Sequence, residues 1–310
     1  MLKYAIILLS NSATSFCYAD NKSEDTCLMP LDTLKNAILW CMKENLRIQF
    51  VYPDFELPKE YKEVINSIDH ADIKHLSDAD VIVINGISEA RGFSSEGKSI
   101  VLRLSDDELF NNLDTLKNLM RISSHLSIIL KDKGIIRKED FPKYKLFLEG
   151  LKDTFEQLVI DGIAPQLNIL TDRLVLDKMN NCNAGVESIT IAPNGSFYIC
   201  PSFYFEDKND SVGNLQDGLN IKNPQLLAFS HAPICKICDA YHCRRCVWLN
   251  KKTTLEVNTP SNEQCVMAHL ERNASKELLE KIRQYGDFLP DKEIAKIDYL
   301  DPFDKIVNNK

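Results

Sequence analysis

Between Tyr4 and Leu170, short apolar runs alternate with stretches in which apolar residues recur every three or four positions. The runs Y-A-I-I-L-L (4–9), R-I-Q-F-V-Y (47–52), D-V-I-V-I-N (80–85), S-I-V-L-R-L (99–104), L-S-I-I-L (126–130) and Q-L-N-I-L (166–170) are bounded by polar or turn residues. Strands covered on both faces read this way. Leu31 to Glu44 has apolar residues at 31, 34, 38 and 41–42, with Asp32 in the first turn, and predicts a helix. Pro58 to Ile68 opens with a proline at a predicted N1 position, and 106–121 and 140–161 are longer amphipathic patterns. The 86–98 link, with glycines at 86, 92 and 97, is too short to predict a helix. Six β/α-like steps predict an α/β fold on a parallel sheet, either curled into a partial barrel or open and doubly wound. In both, sites form in loops beyond the carboxyl ends of the strands. The segment L-S-N-S-A-T-S-F-C-Y-A-D (9–20) occupies such a loop.

From Asn181 the pattern changes. Ser188–Ile191 and Ser196–Ile199 are strand-like runs joined through P-N-G, a hairpin signal, and a loop-rich region follows to Cys265. Residues 274–285 read as a closing amphipathic helix, and the last 25 residues, with Asp-Pro-Phe-Asp, as an irregular tail. The ten cysteines follow the same division: three lie in the first 41 residues, seven lie between Cys182 and Cys265, and none lies between. The predicted organisation is therefore 1–175, 176–270 and a final helix and tail, 271–310.

At 310 residues, 44% apolar and 26% charged, the composition is that of a folded globular protein. A net charge of −8 argues against a general nucleic-acid binder. The basic group Arg244, Arg245, Lys251 and Lys252 reads as an exposed face. No run approaches the roughly 18 apolar residues that span a bilayer, so no membrane partner is expected. Lys3 followed by A-I-I-L-L resembles a signal peptide, but its apolar core covers only about six residues, against the usual 7–15. A buried first strand explains it as well, and a cytoplasmic location is expected.

The strongest chemical signal is C-K-I-C-D-A-Y-H-C-R-R-C (235–246), two C-x2-C pairs separated by four residues. Such turns aim two sulfurs at one metal centre. Cys182, Cys200 and Cys265 flank them, giving seven thiols, too many to cluster for packing alone. Disulfides fit poorly, because seven is odd and the chain is large enough to bury a core without staples. Zinc remains open as an alternative metal. Iron–sulfur clusters, which prefer all-thiolate ligation, account best for a tight run. His242, inside the run, reads as an ordinary loop histidine.

C-N-A-G-V-E-S-I-T-I-A-P-N-G-S-F-Y-I-C (182–200), V-G-N-L (212–215), the four-cysteine run and Cys265 together resemble a SPASM domain, the auxiliary-cluster domain of radical SAM enzymes that mature peptides and proteins. The resemblance implies a partial (β/α)6 TIM-like barrel followed by a small cysteine-rich domain with a β-hairpin. It also implies two [4Fe–4S] clusters: one held by Cys182, Cys200 and Cys246, the other by Cys235, Cys238, Cys243 and Cys265. This chain departs from the family in the central spacing, with four and then two intervening residues where five and then three are usual. No fourth cysteine for the Cys182 cluster is evident in the sequence. That leaves an open iron, a non-cysteine ligand or a substrate thiolate.

In the same family the loop after the first strand carries C-x3-C-x2-C. Here Asn11, Phe16, Cys17 and Tyr18 match the motif's frame, whereas Ser10 and Thr14 stand where the first two cysteines belong. One thiolate and two alcohols do not hold a stable [4Fe–4S] cluster. V-Y-P-D-F-E (51–56) also replaces the family's methionine-binding G-G-E-P. Cleavage of S-adenosylmethionine is therefore not expected, and Cys17 reads as a remnant whose loss leaves the auxiliary iron unchanged. Cys41, on a helical pattern, is expected in the core.

Over nearly its full length the chain most resembles the CXXX repeat peptide maturases, on C-P-S-F-Y-F, C-D-A-Y-H-C-R-R-C-V-W-L-N and T-L-E-V-N-T-P-S-N-E-Q-C. This implies maturation of a ribosomally made precursor peptide with repeated cysteines, alone or beside a second maturation enzyme. The alternative is a non-catalytic peptide- or partner-binding protein with a structural metal. Glu256, Tyr241 and Trp248 are candidate peptide contacts, with core packing the plainer account of the aromatics and a solvated position that of Glu256. No catalytic acid, base or nucleophile stands out.

Overall fold

The computed structural model describes residues 2–131, 134–179, 181–302 and 304. Six strands, β1 (Tyr4–Leu8), β2 (Arg47–Val51), β3 (Ala71–His75), β4 (Val81–Asn85), β5 (Ser99–Leu104) and β6 (His125–Leu130), pair in parallel and in sequence order. The helices between them are α1 (Leu31–Lys43), α2 (Lys59–Ile65), α3 (Ile87–Arg91), α4 (Asp106–Phe110) and α5 (Leu113–Ile122). After β6 come α6 (Phe141–Ile160) and the short α7 (Asp172–Val175). Strand β7 (Ser188–Ile191) pairs in parallel with β1, and β8 (Phe197–Tyr198) pairs antiparallel with β7, giving the order β6-β5-β4-β3-β2-β1-β7-β8. The strand order does not reverse between β1 and β6, so right-handed crossovers place every connecting helix on one face. That selects the partial barrel over the doubly wound sheet, which requires a reversal.

The hairpin predicted around P-N-G is thus part of the barrel's sheet. Beyond it lie α8 (Pro201–Glu206), a two-stranded ribbon of β9 (Gly213–Asn214) and β10 (Gly218–Leu219), α9 (Val247–Thr254) and α10 (Asn262–Ile282). Strand alternation divides the core. Ala5, Ile7, Leu9, Ile48 and Phe50 pack on α1 and α2 through Leu34, Ile38, Cys41 and Ile65. Their neighbours Ile6, Leu8, Val51, Ile73 and Val83 face the other way and cluster with Ala13, Ala19, Tyr198, Phe203, Trp248 and Leu249. The concave face is therefore filled by the loop after β1 and by the last third of the chain.

Several expectations change. Residues 166–170 are not a strand. A single bridge joins Leu126 to Leu167, and the chain then turns, with the Leu167 N–H donating to Thr171 Oγ1 at 2.7 Å. The Asn168 side chain replaces the missing ladder, accepting from the Ile128 N–H (2.9 Å) and donating to the Ile128 carbonyl (3.0 Å). The sixth strand is instead β3, A-D-I-K-H, invisible to apolar-run criteria because only Ile73 is buried. Its outward Asp72 and Lys74 pair with each other at 2.6 Å, and Lys74 lies over the Tyr52 ring.

The predicted 106–121 helix is two helices. A Ser105–Glu108 capping box starts α4, and Asn111 and Asn112 end it. The 86–98 link does hold the five-residue α3. Pro58 caps α2 rather than occupying N1. The closing helix begins at Asn262 rather than 274, because Ser261 and Gln264 form a capping box. The predicted tail falls partly on residues 303 and 305–310, outside the described residues. No helix is long and apolar enough to cross a membrane among the described residues. Replacing Asn168 with leucine strips both backbone groups of Ile128 of their partners in a buried edge. The expected loss of about 2–4 kcal/mol is read from the urea unfolding midpoint.

Candidate functional site

The thiols are positioned by helix ends and by one charge clamp. Cys200 and Cys246 are the residues that precede α8 and α9, where burial pushes each thiol's pKa up and the backbone of Phe203, and of Leu249 and Trp248, acts to lower it. Cys265 lies near the start of α10. Cys182 is held through its carbonyl, which accepts from Tyr4 Oη (2.9 Å) and Ser188 Oγ (3.1 Å). The Ala240 N–H approaches Cys238 Sγ at 3.4 Å, and His269 Nε2 lies 3.6 Å from the same sulfur. Between the two C-x2-C pairs, Asp239 takes a bidentate bond from Arg272 (2.6 and 2.7 Å) and a third from Arg173 (3.1 Å). Burial alone would raise the Asp239 carboxyl, yet the two guanidiniums hold it below the usual carboxylate range. Arg272 is wholly buried, and Arg173 also stacks on Tyr241 at 4.6 Å. The clamp fixes the cysteine run against α7 and α10.

All ten cysteines are free thiols. Cys235, Cys238, Cys243 and Cys265 form one set in which every member acts on the acidity of the other three. Burial, then the neighbouring thiols, push these thiols up, Cys235 to about 11. Cys182, Cys200 and Cys246 form a second set, and a fourth thiol joins it: Cys17. All six pairs among these four interact, and burial followed by the other thiols raises Cys17 and Cys246 to about 12. Cys17 lies 165 positions from Cys182, so no spacing along the chain points to their interaction.

Among the described residues, no three His, Cys, Asp or Glu side chains are grouped to hold a single metal ion. Arg245, 3% exposed and in the left-handed conformation (φ 39°), acts on Cys182 in one set and on Cys235 and Cys243 in the other. Its Nη1 and Nη2 donate to the Leu227 and Ala228 carbonyls (3.0 and 3.4 Å), its Nε is unbonded, and no carboxylate pairs with it among the described residues. An unpaired buried guanidinium costs several kcal/mol. Thiolate sulfurs supply the negative charge that offsets it, so the donor set fits metal-bound rather than protonated thiols.

The loop after β1 does not gather Ser10, Thr14 and Cys17 at one point. Ser10 Oγ donates to the Cys27 carbonyl and meets Ser12 Oγ, both at 3.1 Å, and Thr14 Oγ1 donates to Asp54 at 3.2 Å. Cys41 packs in the core on α1, as its pattern predicts. The far end of the loop is held by Arg103 on β5, 2% exposed. It donates to the Cys17 carbonyl (3.0 Å), the Ala19 carbonyl (3.4 Å), the Asp20 carboxylate and Asn85 Oδ1 (3.0 Å). Beyond β2 and β3, Asp54, His75 and Glu89 form a chain of contacts at 3.3 and 2.9 Å.

The pattern also missed a buried polar chain, because two of its three members, Tyr144 and Glu271, lie outside any motif. Tyr144 Oη donates to Glu271, whose other oxygen meets His242 Nε2 at 3.0 Å. His242 is therefore not an ordinary loop histidine: it is 6% exposed, and its Nδ1 has no partner. This chain lines a pocket of about 60 Å³ with Tyr18, Cys243, Arg244 and Cys246. Trp248 is in the core, its Nε1 donating to Glu206 at 2.7 Å, and Glu256 is exposed.

No protein-family model matches the chain, and no curated protein matches it significantly. Solved structures do match. The structure of anSMEcpe with bound AdoMet covers 93% of this chain and 97% of its own, with a TM-score of 0.58 and 13% sequence identity. The structure of anSMEcpe with bound AdoMet and the Cp18Cys peptide covers 91% and 99%, again at TM-score 0.58 and 13% identity. With the Kp18Cys peptide the coverage and TM-score are the same, at 14% identity. The likeness establishes a shared fold along nearly the whole of both chains.

Two measurements check the polar framework. Asp239→Asn breaks the clamp and leaves Arg272 buried without its counter-charge, at a cost of about 3 kcal/mol, seen as a lower unfolding midpoint. The hydrogen bond to Asp54 comes first, and with Glu89 it raises His75 to about 9 against the lowering effect of burial. Its contribution to stability is complete below an unfolded pKa of about 6.5 and is lost as pH rises through about 9. An NMR titration of the His75 ring with a midpoint near the unfolded value would contradict this.

Proposed function

We propose that this protein matures a ribosomally synthesised peptide with recurring cysteines, of the CXXX repeat type, with two [4Fe–4S] clusters serving the modification. The observation that supports the proposal is the sorting of the seven predicted cysteines into two electrostatically interacting sets, with Cys235, Cys238, Cys243 and Cys265 in one and Cys182, Cys200 and Cys246 in the other. Four thiolates are the donor set that a [4Fe–4S] cluster prefers. A tetrahedral zinc ion, with bonds of about 2.3 Å, needs its sulfurs roughly 3.8 Å apart. When bound, such clusters would supply one-electron chemistry.

The chain's own residues supply the rest. Asp239, Arg272 and Arg173 hold the cysteine run in place, and Arg245 balances charge between the sets. Tyr144 and Glu271 fix the orientation of His242 in the pocket wall. The fold shared with a protein crystallised with peptides supports a peptide substrate. On this proposal, 1–175 carries the barrel's six sequential strands, 176–270 the cluster-bearing segment, whose first hairpin extends the barrel's sheet, and 271–310 a closing segment.

The proposal includes no cleavage of S-adenosylmethionine. Ser10 and Thr14 spend their hydroxyls on Cys27 and Asp54, and the loop between them buries Ala13 against the concave face. Protein purified anaerobically is expected to contain about eight iron and eight sulfide per chain, and a synthetic CXXX-repeat peptide incubated with it should change mass. Zinc without sulfide would overturn the cluster assignment. Reduced protein mixed with S-adenosylmethionine is expected to release no 5′-deoxyadenosine, and protein-dependent formation of that product would overturn the exclusion.

A further inference from the structure

Three separate contacts bring the loop after β1 to the elements that carry Cys182, Cys200 and Cys246. Tyr4, on the strand that feeds the loop, pairs with Ser188, and both side chains donate to the Cys182 carbonyl. Tyr204, on the helix that Cys200 precedes, donates to Asn11 Oδ1 within the loop at 2.7 Å. Gly134 packs between Tyr18 and Leu249 so closely that a Cβ there would stand 2.7 and 2.9 Å from them. Leu249 lies on the helix that Cys246 precedes, so the residue after Cys17 is pinned beside Cys246's helix. Phe16 and Tyr18, either side of Cys17, belong to the same apolar cluster as Cys200 and Cys246. Arg103, on β5 beside the edge strand β6, fixes the remaining freedom by donating to the Cys17 carbonyl at 3.0 Å.

We infer that Cys17 is the fourth ligand of the cluster held by Cys182, Cys200 and Cys246, so that the loop after β1 closes this site instead of building one of its own. The inference rests on the cluster assignment proposed above. Cys17 is therefore no remnant, and the expectation that its loss leaves the iron unchanged is reversed. The closed site has no open coordination position, so a peptide thiolate does not bind there. Its consequence for the fold is a covalent tie, through metal, between the barrel's first loop and the last third of the chain.

The test compares anaerobically reconstituted wild-type protein with Cys17→Ala, Cys17→Ser and the exposed-cysteine control Cys27→Ser. Iron, sulfide and low-temperature EPR and Mössbauer spectra are recorded for each. Cys17→Ala and Cys17→Ser are expected either to lose about half the iron or to show a three-iron signal from one cluster, while Cys27→Ser matches wild type. Adding Cys246→Ala to Cys17→Ala should remove no more than that one cluster. Adding Cys243→Ala instead should remove nearly all iron, a pattern that general unfolding does not produce. A small thiol such as 2-mercaptoethanol should leave the wild-type spectrum unchanged and shift that of Cys17→Ala. Wild-type iron and spectra in both Cys17 variants overturn the Cys17 assignment alone, whereas wild-type protein without iron and sulfide overturns the cluster assignment on which it rests.

Discussion

The parallel pairing of β1 with β7 is the constraint on which the rest of the molecule depends. β1 is bonded on one side to β2, 43 residues on, and on the other to β7, with Tyr4 opposite Ser188. Closing so long a loop costs entropy that grows only with the logarithm of its length, and the buried ladder and its apolar faces offset it. The pairing makes one sheet of the barrel and the later hairpin. It also places the loop after β1 under the cysteine-bearing helices, and so determines which thiols meet.

Buried charge then fixes the orientation of what the sheet brings together. Asp239 sits between two cysteine pairs and is gripped by guanidiniums from two separate helices, one of them fully buried. Arg103 does the same for the barrel loop from β5. Such pairs add little net stability over an apolar core, but losing one partner is costly. They act as registration devices for segments with little secondary structure of their own. Arg245 differs, because the groups acting on it most strongly are the sulfurs of Cys235, Cys243 and Cys182, drawn from both sets.

Strands rich in branched apolar residues were legible because their periodicity is local. β1, β2, β4, β5 and β6 fall within a residue of their predicted bounds. β3 was not legible, since its partners on both sides supply the ladder while its own outward side chains are charged. Residues 166–170 erred in the opposite direction: an apolar run at the open edge needs a partner strand, and an asparagine side chain took that place.

The cysteine spacing by itself determined that the last third of the chain is organised by thiols. It also determined that Ser10 and Thr14 interrupt a three-cysteine pattern, because ligand identity and spacing are local properties of the chain. Only the tertiary structure decided which thiols meet. Cys17 joins Cys182, Cys200 and Cys246 through three contacts, none made by residues fewer than 100 positions apart. Glu271 reaches Tyr144 across 127 positions in the same way, and His242 across 29. Spacing along a chain constrains groups on one turn or one loop, whereas the meeting of distant side chains is set by strand order and by the buried charges that hold the loops.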